Sequence, residues 1–262
     1  MDLKIKGKWA LITGGANGIG EEISCQLAIE GVHIIATSRS EKPIKNLQQK
    51  LAHLNIEVHG IIVDFLEPNW IDDFKKKISK FSISILVNNA GHALNVTDPY
   101  CSIEDWHRVM ELNFYTAVNL CNLLIPNMKD NQWGRIINIT SCAGLENSGP
   151  VTYSVSKSSL TVYTKTMGRI LATEGGHVVM SAIYPGVVQT EGGHWDNVLK
   201  TNPSHAKKYL EERTPLKRFG SVSEIAPVVV FQCSDLASFS HGAIISVDGG
   251  QSRHYSSFNY LS

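Results

Sequence analysis

The sequence predicts an α/β protein: a doubly wound parallel sheet of about seven strands, helices on both faces, folded as a single domain over residues 1–262. Three observations predict it. Short apolar runs alternate with longer amphipathic stretches along the whole chain, as in strand–helix–strand units. The runs are apolar at successive positions, as strands buried on both faces are. The 262 residues contain no linker, repeat or low-complexity tract, and the length suits one large sheet with a sizeable core.

Taken in order, "WALIT" (9–13) is the first strand and a helix near 18–30 follows it. "HIIAT" (33–37) precedes a helix near 41–54, and "EVHGIIV" (57–63) one near 69–80. "SILVNNA" (84–90) leads to a helix over 103–129, and "GRIINIT" (134–140) to one over 153–174. "VVMSAIYP" (178–185) is the sixth strand; a helix near 222–235 and "AIISVDGG" (243–250) close the sheet. In 222–235, Val222, Ile225, Ala226, Val229 and Val230 form one stripe that Val228 and Phe231 widen beyond one sheet face, with Pro227 near the start. That surplus, beside a last strand at the sheet edge, predicts a homotetramer or homodimer through this helix and strand. A monomer with Tyr255, Phe258 and Tyr260 folded over the edge is the alternative.

Composition narrows the function. Hydrophobic residues are 43% and charged residues 18%, with 24 basic against 24 acidic side chains, so the chain reads as globular and soluble. Zero net charge gives no electrostatic reason to expect nucleic acid or an anionic membrane. The five cysteines are scattered without C-x-x-C spacing, which suggests neither disulfides nor zinc and fits a cytoplasmic setting. The apolar run near the N-terminus is too short for a signal-peptide core or a membrane span, and the sequons at Asn95 and Asn138 are read as chance. His92, His194 and His241 lack ligand-like spacing, so no metal site is expected. Lys75, Lys76 and Lys77 read as a solvated helix face.

Two short stretches carry chemistry. "TGGANGIG" (13–20) follows the first strand: Gly14, Gly18 and Gly20 allow a tight turn and close backbone approach, and the helix opening at Asn17, Gly18, Ile19 and Gly20 offers N–H groups to a pyrophosphate. Its spacing differs from G-x-G-x-x-G. "VTYSVSK" (151–157) puts a phenol and an ammonium one helical turn apart. A phenol titrates near pH ~10, and an adjacent cation lowers that value by stabilising the phenolate. Tyr153 is therefore the candidate acid/base and Lys157 its tuner.

With "NNAG" (88–91), Asn113 of "ELNFYTA", "NITS" (138–141), "YPGVVQT" (184–190) and "SVDGG" (246–250), these stretches make the chain resemble the classical short-chain dehydrogenase/reductase family over almost its whole length. The resemblance implies a single Rossmann-like domain, a nicotinamide dinucleotide and hydride transfer between an alcohol and a carbonyl. It implies that Ser141 polarises the substrate oxygen, that Lys157 also holds the nicotinamide ribose, and that Asn113 completes a water-borne proton relay to Lys157. Thr140 is the rival hydroxyl; the family pattern favours Ser141. The resemblance further implies that Asp64 and Phe65 meet the adenine, that Asn89, Ala90 and Gly91 line the adenosine side, and that Pro185, Gly186, Val188 and Thr190 fix the nicotinamide.

At the end of the second strand, Ser38 and Arg39 stand where an acidic residue would select NAD(H). A hydroxyl and a guanidinium suit a 2′-phosphate, so NADP(H) is favoured over NAD(H). Asn17 occupies a position where many NADP-dependent relatives carry a second basic residue. The small-molecule carbonyl or alcohol would sit near His92–Leu94, Leu145–Val151 and Tyr184, under residues 191–213, which read as a mobile lid or an ordinary surface helix pair. There Trp195 and Tyr209 would pack on a ligand or on the sheet. A 3-oxoacyl thioester, a sugar or polyol and a steroid-like ketone all stay open. An NAD-dependent dehydrogenase of the same family and a non-catalytic dinucleotide-binding regulator are the alternatives. The second would lack a member of the Asn-Ser-Tyr-Lys set, and all four are present. An extended-branch epimerase would need a longer substrate domain.

Overall fold

Seven parallel strands form one sheet in the order β3-β2-β1-β4-β5-β6-β7, in a computed structural model that describes residues 1–146 and 148–253. The strands are β1 (Trp9–Ile12), β2 (His33–Ser38), β3 (Val58–Ile62), β4 (Ile83–Asn88), β5 (Gly134–Ile139), β6 (Val178–Pro185) and β7 (Ile244–Val247). The chain starts at β1, winds outward to β3, then returns beside β1 as β4 and winds the other way. The order therefore reverses between β1 and β4, and a crevice opens there at the carboxyl ends of the strands, where ligands of such sheets bind.

The helices are α1 (Gly18–Ile29), α2 (Glu41–Leu51), α3 (Trp70–Ile78), α4 (Ile103–Met110), α5 (Thr116–Asp130), α6 (Val151–Thr173), α7 (His194–Thr201), α8 (Pro203–Arg213) and α9 (Val222–Gln232). Each sheet face has its own apolar core. Ile23, Leu27, Ile44, Leu47, Ile225 and Val229 of α1, α2 and α9 bury one face. Phe74, Leu120, Leu124 and Leu171 of α3, α5 and α6 bury the other. The continuous apolar strands are explained by this double cover; Ile34, Ile35 and Ala36 are all fully buried.

Three segments bear on the sequence reading, and two of them differ from it. The helix expected over 103–129 is interrupted by a π-helical turn, Glu111–Tyr115. Side chains meet carbonyls around this widened turn: Asn113 Nδ2 donates to Val109 O at 2.8 Å and Thr116 Oγ1 to Glu111 O at 2.8 Å. Residues 194–213 form the helix pair α7 and α8, joined at Asn202, whose side chain caps α8 ahead of Pro203. Trp195 and Tyr209 pack on each other, 4.5 Å between ring centroids, and Phe219 closes the cluster at 5.3 Å.

The third segment, α9, differs. Its stripe is spent inside the protomer, since Ile225, Ala226, Val229 and Val230 are buried against α1 and the sheet. A charge at Val230 would test folding and not assembly. Phe231, 38% exposed, remains on the outer side, and Pro227 lies in the second turn of α9. Among the described residues β7 pairs only with β6, at the edge of the sheet. The tail with Tyr255, Phe258 and Tyr260 lies outside the described residues.

Candidate active site

β5 ends in Ser141, extended at φ −166° and ψ 151°, which opens a short 3₁₀ turn at Cys142–Gly144. Gly144 lets that turn lie on α6: a Cβ there would sit 2.8 Å from the Lys157 carbonyl carbon. The contact brings the strand end against the helix that carries Tyr153 and Lys157, and places the Ser141 hydroxyl beside the phenol. Thr140 faces elsewhere. Its hydroxyl donates to Ile183 O at 3.2 Å and is buried between strands, so of the two neighbouring hydroxyls only that of Ser141 reaches the phenol.

Lys157 is buried and donates from Nζ to Ile139 O at 2.9 Å. Burial lowers its ammonium to about 8, which leaves it largely protonated at neutral pH. Nζ lies 5.8 Å from the centroid of the Tyr153 ring. Tyr153 itself is part-exposed as a residue, yet burial of its phenol is the main influence and pushes it above its ordinary value, countered by the neighbouring Ser141 hydroxyl. The Lys157 ammonium points at the Ile139 carbonyl, and desolvation is the largest influence on the phenol.

Asn113 sits in the π turn and is buried. Besides Val109 O, its Nδ2 donates to His92 O at 2.9 Å, and its Oδ1 accepts from His92 N at 3.1 Å. The amide thus clamps the backbone after "NNAG". A Cβ on Gly91 would lie 2.7 Å from both Asn113 Oδ1 and Lys157 Nζ, so only glycine lets these two groups crowd the same loop.

The glycine loop closes over the carboxyl end of β1. Gly14 and Gly18 have φ of +62° and +53°, and a Cβ on Gly20 would lie 2.3 Å from Gly14 O. Asn17 provides no side-chain cap to α1, so the leading N–H groups of Gly18, Ile19 and Gly20 are left for an anion. This cradle fits a pyrophosphate. The side chain of Asn89, expected beside an adenosine, donates to Thr13 O at 2.9 Å, while Asn89 N and Ala90 N both donate to Thr13 Oγ1 at 2.9 Å. Thr37 Oγ1 accepts from Gly14 N at 2.9 Å. Thr13 and Thr37 hold the loop, and sequence reasoning passed over both; a hydroxyl opposite "NNAG" at each strand end was the available signal. Below them Asn88 Nδ2 donates to Asn138 Oδ1 at 2.8 Å, and Asn138 Nδ2 to Thr164 Oγ1 at 2.8 Å, tying β4, β5 and α6 together under the site.

Ser38 is buried at the end of β2 and accepts from Ser40 N at 3.3 Å, whereas Arg39 is exposed and forms no ion pair among the described residues. The Asp64 carboxylate accepts from Leu66 N at 3.0 Å; the Phe65 ring is buried on Trp70, so only the Phe65 main chain could meet an adenine. Pro185, the last residue of β6, is buried, and Gly186 after it lies so close to Asp248 that a Cβ would be 2.8 Å from its Cα. Val188 bridges to Gly220, and the Thr190 methyl lies over Gly18, 3.3 Å from where its Cβ would be. Gly14, Gly18, Thr190 and the strand ends thus border one crevice. A cavity of about 370 Å³ among Leu3, Ile5, Ala28, Leu54 and Ile56 lies at the opposite, amino ends of the strands. Among the described residues no cluster of three His, Cys, Asp or Glu could hold a metal, and no helix is long and apolar enough to cross a membrane.

Comparison with known proteins places this geometry. The family described as short chain dehydrogenase matches residues 8–197. The 3-oxoacyl-[acyl-carrier-protein] reductase of Aquifex aeolicus is 34% identical over 254 residues, covering 95% of this chain and 99% of that protein. The crystal structure of L-sorbose reductase from Gluconobacter frateurii, complexed with NADPH and L-sorbose, superposes with a TM-score of 0.88 at 31% identity, over 97% of this chain and all of that one. A 7α-hydroxysteroid dehydrogenase complexed with NADH and a 7-oxo bile acid superposes with a TM-score of 0.85 at 27% identity, over 97% of both chains.

Proposed function

This chain belongs to the short-chain dehydrogenase family and is an oxidoreductase, and on that premise we propose that it transfers a hydride between NADP(H) and a carbonyl or alcohol substrate. Asn113, Ser141, Tyr153 and Lys157 are the proposed catalytic set. One observation carries the reading: the end of β5 lies on α6 across Gly144, with the Ser141 hydroxyl beside the Tyr153 phenol, while Thr140, one residue away, is committed to Ile183.

The dinucleotide supplies the hydride or accepts it; the protein's own groups handle binding and the proton. Tyr153 gives a proton to the developing alkoxide in reduction and takes it back in oxidation. Ser141 donates to the same substrate oxygen and polarises it. Lys157 holds a ribose with its charge and, being within one water's reach of Asn113 Oδ1 across Gly91, passes the proton onward. Gly14, Asn17, Gly18, Ile19 and Gly20 hold the pyrophosphate. Asp64, the Phe65 main chain, Ala90 and Gly91 border the adenosine, with Asn89 acting through the loop it supports. Pro185, Gly186, Val188 and Thr190 hold the nicotinamide end, and residues 191–213 close over the substrate.

Arg39 and Ser38 favour NADP(H) over NAD(H), because an exposed guanidinium without an ion-pair partner among the described residues suits a 2′-phosphate. Arg39→Ala is expected to lower the NADPH-to-NADH ratio of kcat/KM by about ten-fold, the scale of a hydrogen bond to a charged group. An unaltered ratio would leave Arg39 a plain surface charge. Relatives acting on an acyl thioester, a sugar and a steroid bracket the substrate class, and we keep a 3-oxoacyl thioester, a sugar or polyol and other ketones within it. The cysteines described as free thiols, four of the five buried, suit a cytoplasmic location.

We also propose a homotetramer, with a homodimer as the smaller alternative. Two surfaces support it: Phe231 with the β7 edge, unpaired among the described residues, and a stripe on α6 in which Val151, Val155, Val162 and Ile170 are 40 to 51% exposed. Two self-complementary surfaces are what a tetramer with three two-fold axes needs. Light scattering is expected to give a multiple of the 28.9 kDa protomer mass, and Val162→Glu to shift the population toward smaller species without loss of secondary structure. A protomer mass for the parent protein would contradict the assembly.

A further inference from the structure

The segment after β7, residues 248–253, touches three walls of the crevice. Asp248 Oδ2 accepts from Ser252 N at 2.8 Å and lies 3.8 Å from Cys142 Sγ, beside Ser141. Arg253 N donates to Glu146 Oε1 in the same loop. The Tyr184 hydroxyl of β6 lies 3.5 Å from Ser252 Oγ. Gln251 makes the most consequential contacts. Its side chain is buried, its Oε1 accepts from Val187 N at 3.0 Å, and its Nε2 donates to the Tyr209 hydroxyl on α8 at 3.1 Å. One amide thus joins the helix pair to the main chain between Gly186 and Val188, and Tyr209 in turn packs on Trp195 of α7.

We propose that Gln251 is a positioning residue that couples the helix pair α7–α8 to the 186–190 segment, so that covering the substrate and seating the nicotinamide end move together. The geometry argues for coupling over simple cohesion. A bond from α8 to any wall would hold the helix down, but this one ends on the backbone N–H of the loop that borders the cofactor crevice. The bond to Val187 is buried and the one to Tyr209 part-buried, and an unmatched partner there is costly, so displacement of α8 leaves Gln251 Nε2 unmatched and frees Gln251 to move relative to Val187. Either protonation state of a carboxylic acid could replace the amide: a carboxylate accepts from Val187 N and from the Tyr209 O–H, and a neutral acid accepts from the first and donates to the second. Leucine can do neither.

The inference rests on the proposed dehydrogenase reading for its consequence, but its test does not depend on activity. Hydrogen exchange is measured on the full chain of the parent, Gln251→Leu, Gln251→Glu and Tyr209→Phe, alone and with NADPH, after thermal melting shows each variant folded. Tyr209→Phe serves if Gln251→Leu does not fold. Coupling requires Gln251→Leu and Tyr209→Phe each to speed exchange about five-fold, one net hydrogen bond's worth, in 186–190 as well as in 194–213. The double variant should add little to either single one, and Gln251→Glu should stay near the parent. With a turnover assay in hand, both impaired variants raise KM for the carbonyl more than they lower kcat. Unchanged exchange over 186–190 in Tyr209→Phe, additive effects in the double variant, or Gln251→Glu as impaired as Gln251→Leu would each overturn the coupling. Failure of the parent to bind NADPH or NADH would instead count against the dehydrogenase reading, leaving the exchange result on the protein alone to stand.

Discussion

Tyr153→Phe is expected to lower turnover by at least ~10²-fold, the lower range for loss of a general acid/base, with the fold and dinucleotide binding retained. Phenylalanine keeps the ring beside Lys157 and removes only the hydroxyl. Ser141 retains its other bond, accepted from Ala143 N at 3.1 Å, and Lys157 retains Ile139 O, so the remaining groups have no reason to move. The readouts are absorbance at the reduced-nicotinamide band for turnover and the thermal shift with NADPH for binding. Turnover equal to the parent's would remove Tyr153 from the mechanism.

Gly20→Ala should have the largest effect on dinucleotide binding. The added methyl would stand 2.3 Å from Gly14 O and 2.5 Å from Asn89 Nδ2, and neither neighbour is free to yield. Gly14 is held by Thr37 Oγ1, and Asn89 by three bonds to Thr13 and Gly14. Relief by shifting the loop costs about 1–3 kcal/mol of stability, typical of overpacking, and moves the N–H groups off the pyrophosphate. The dissociation constant for NADPH should rise at least about ten-fold, or 1.4 kcal/mol, in a fluorescence titration, with a lower midpoint in chemical denaturation. An unchanged constant would show that the phosphates bind elsewhere.

Much of the fold was legible in the sequence because one physical condition, burial on both faces, marks every inner strand. Ile34, Ile35 and Ala36 read as strand and lie fully buried between two helical layers. The proposed catalytic set could be named for a different reason, since the Tyr153–Lys157 spacing and the end of β5 are local patterns whose order matches the family. What depends on three-dimensional competition was not. The α9 stripe looked like surplus surface because its count of apolar residues says nothing of α1, which covers Val229 and Val230. The π turn at Glu111–Tyr115 depends on the side chains of Asn113 and Thr116 reaching particular carbonyls. The Lys157–Tyr153 spacing fixes neighbourhood but not aim, and the ammonium aims at Ile139 O. Thr13, Thr37 and Gln251 are ordinary residues in sequence, and their roles come from bonds spanning 76, 23 and 64 positions.

Hydride transfer itself is most directly tested with NADPH deuterated at both C4 positions, supplied to the parent protein with a panel of 3-oxoacyl thioesters, keto sugars and cyclic ketones. The alcohols formed are analysed by mass spectrometry. If the crevice at the β1–β4 switch works as proposed, at least one carbonyl yields an alcohol with a single deuterium on its carbinol carbon, and Tyr153→Phe suppresses that product. Cofactor consumption with no deuterium in the alcohol, or the same labelled product at the same rate from Tyr153→Phe, would contradict it.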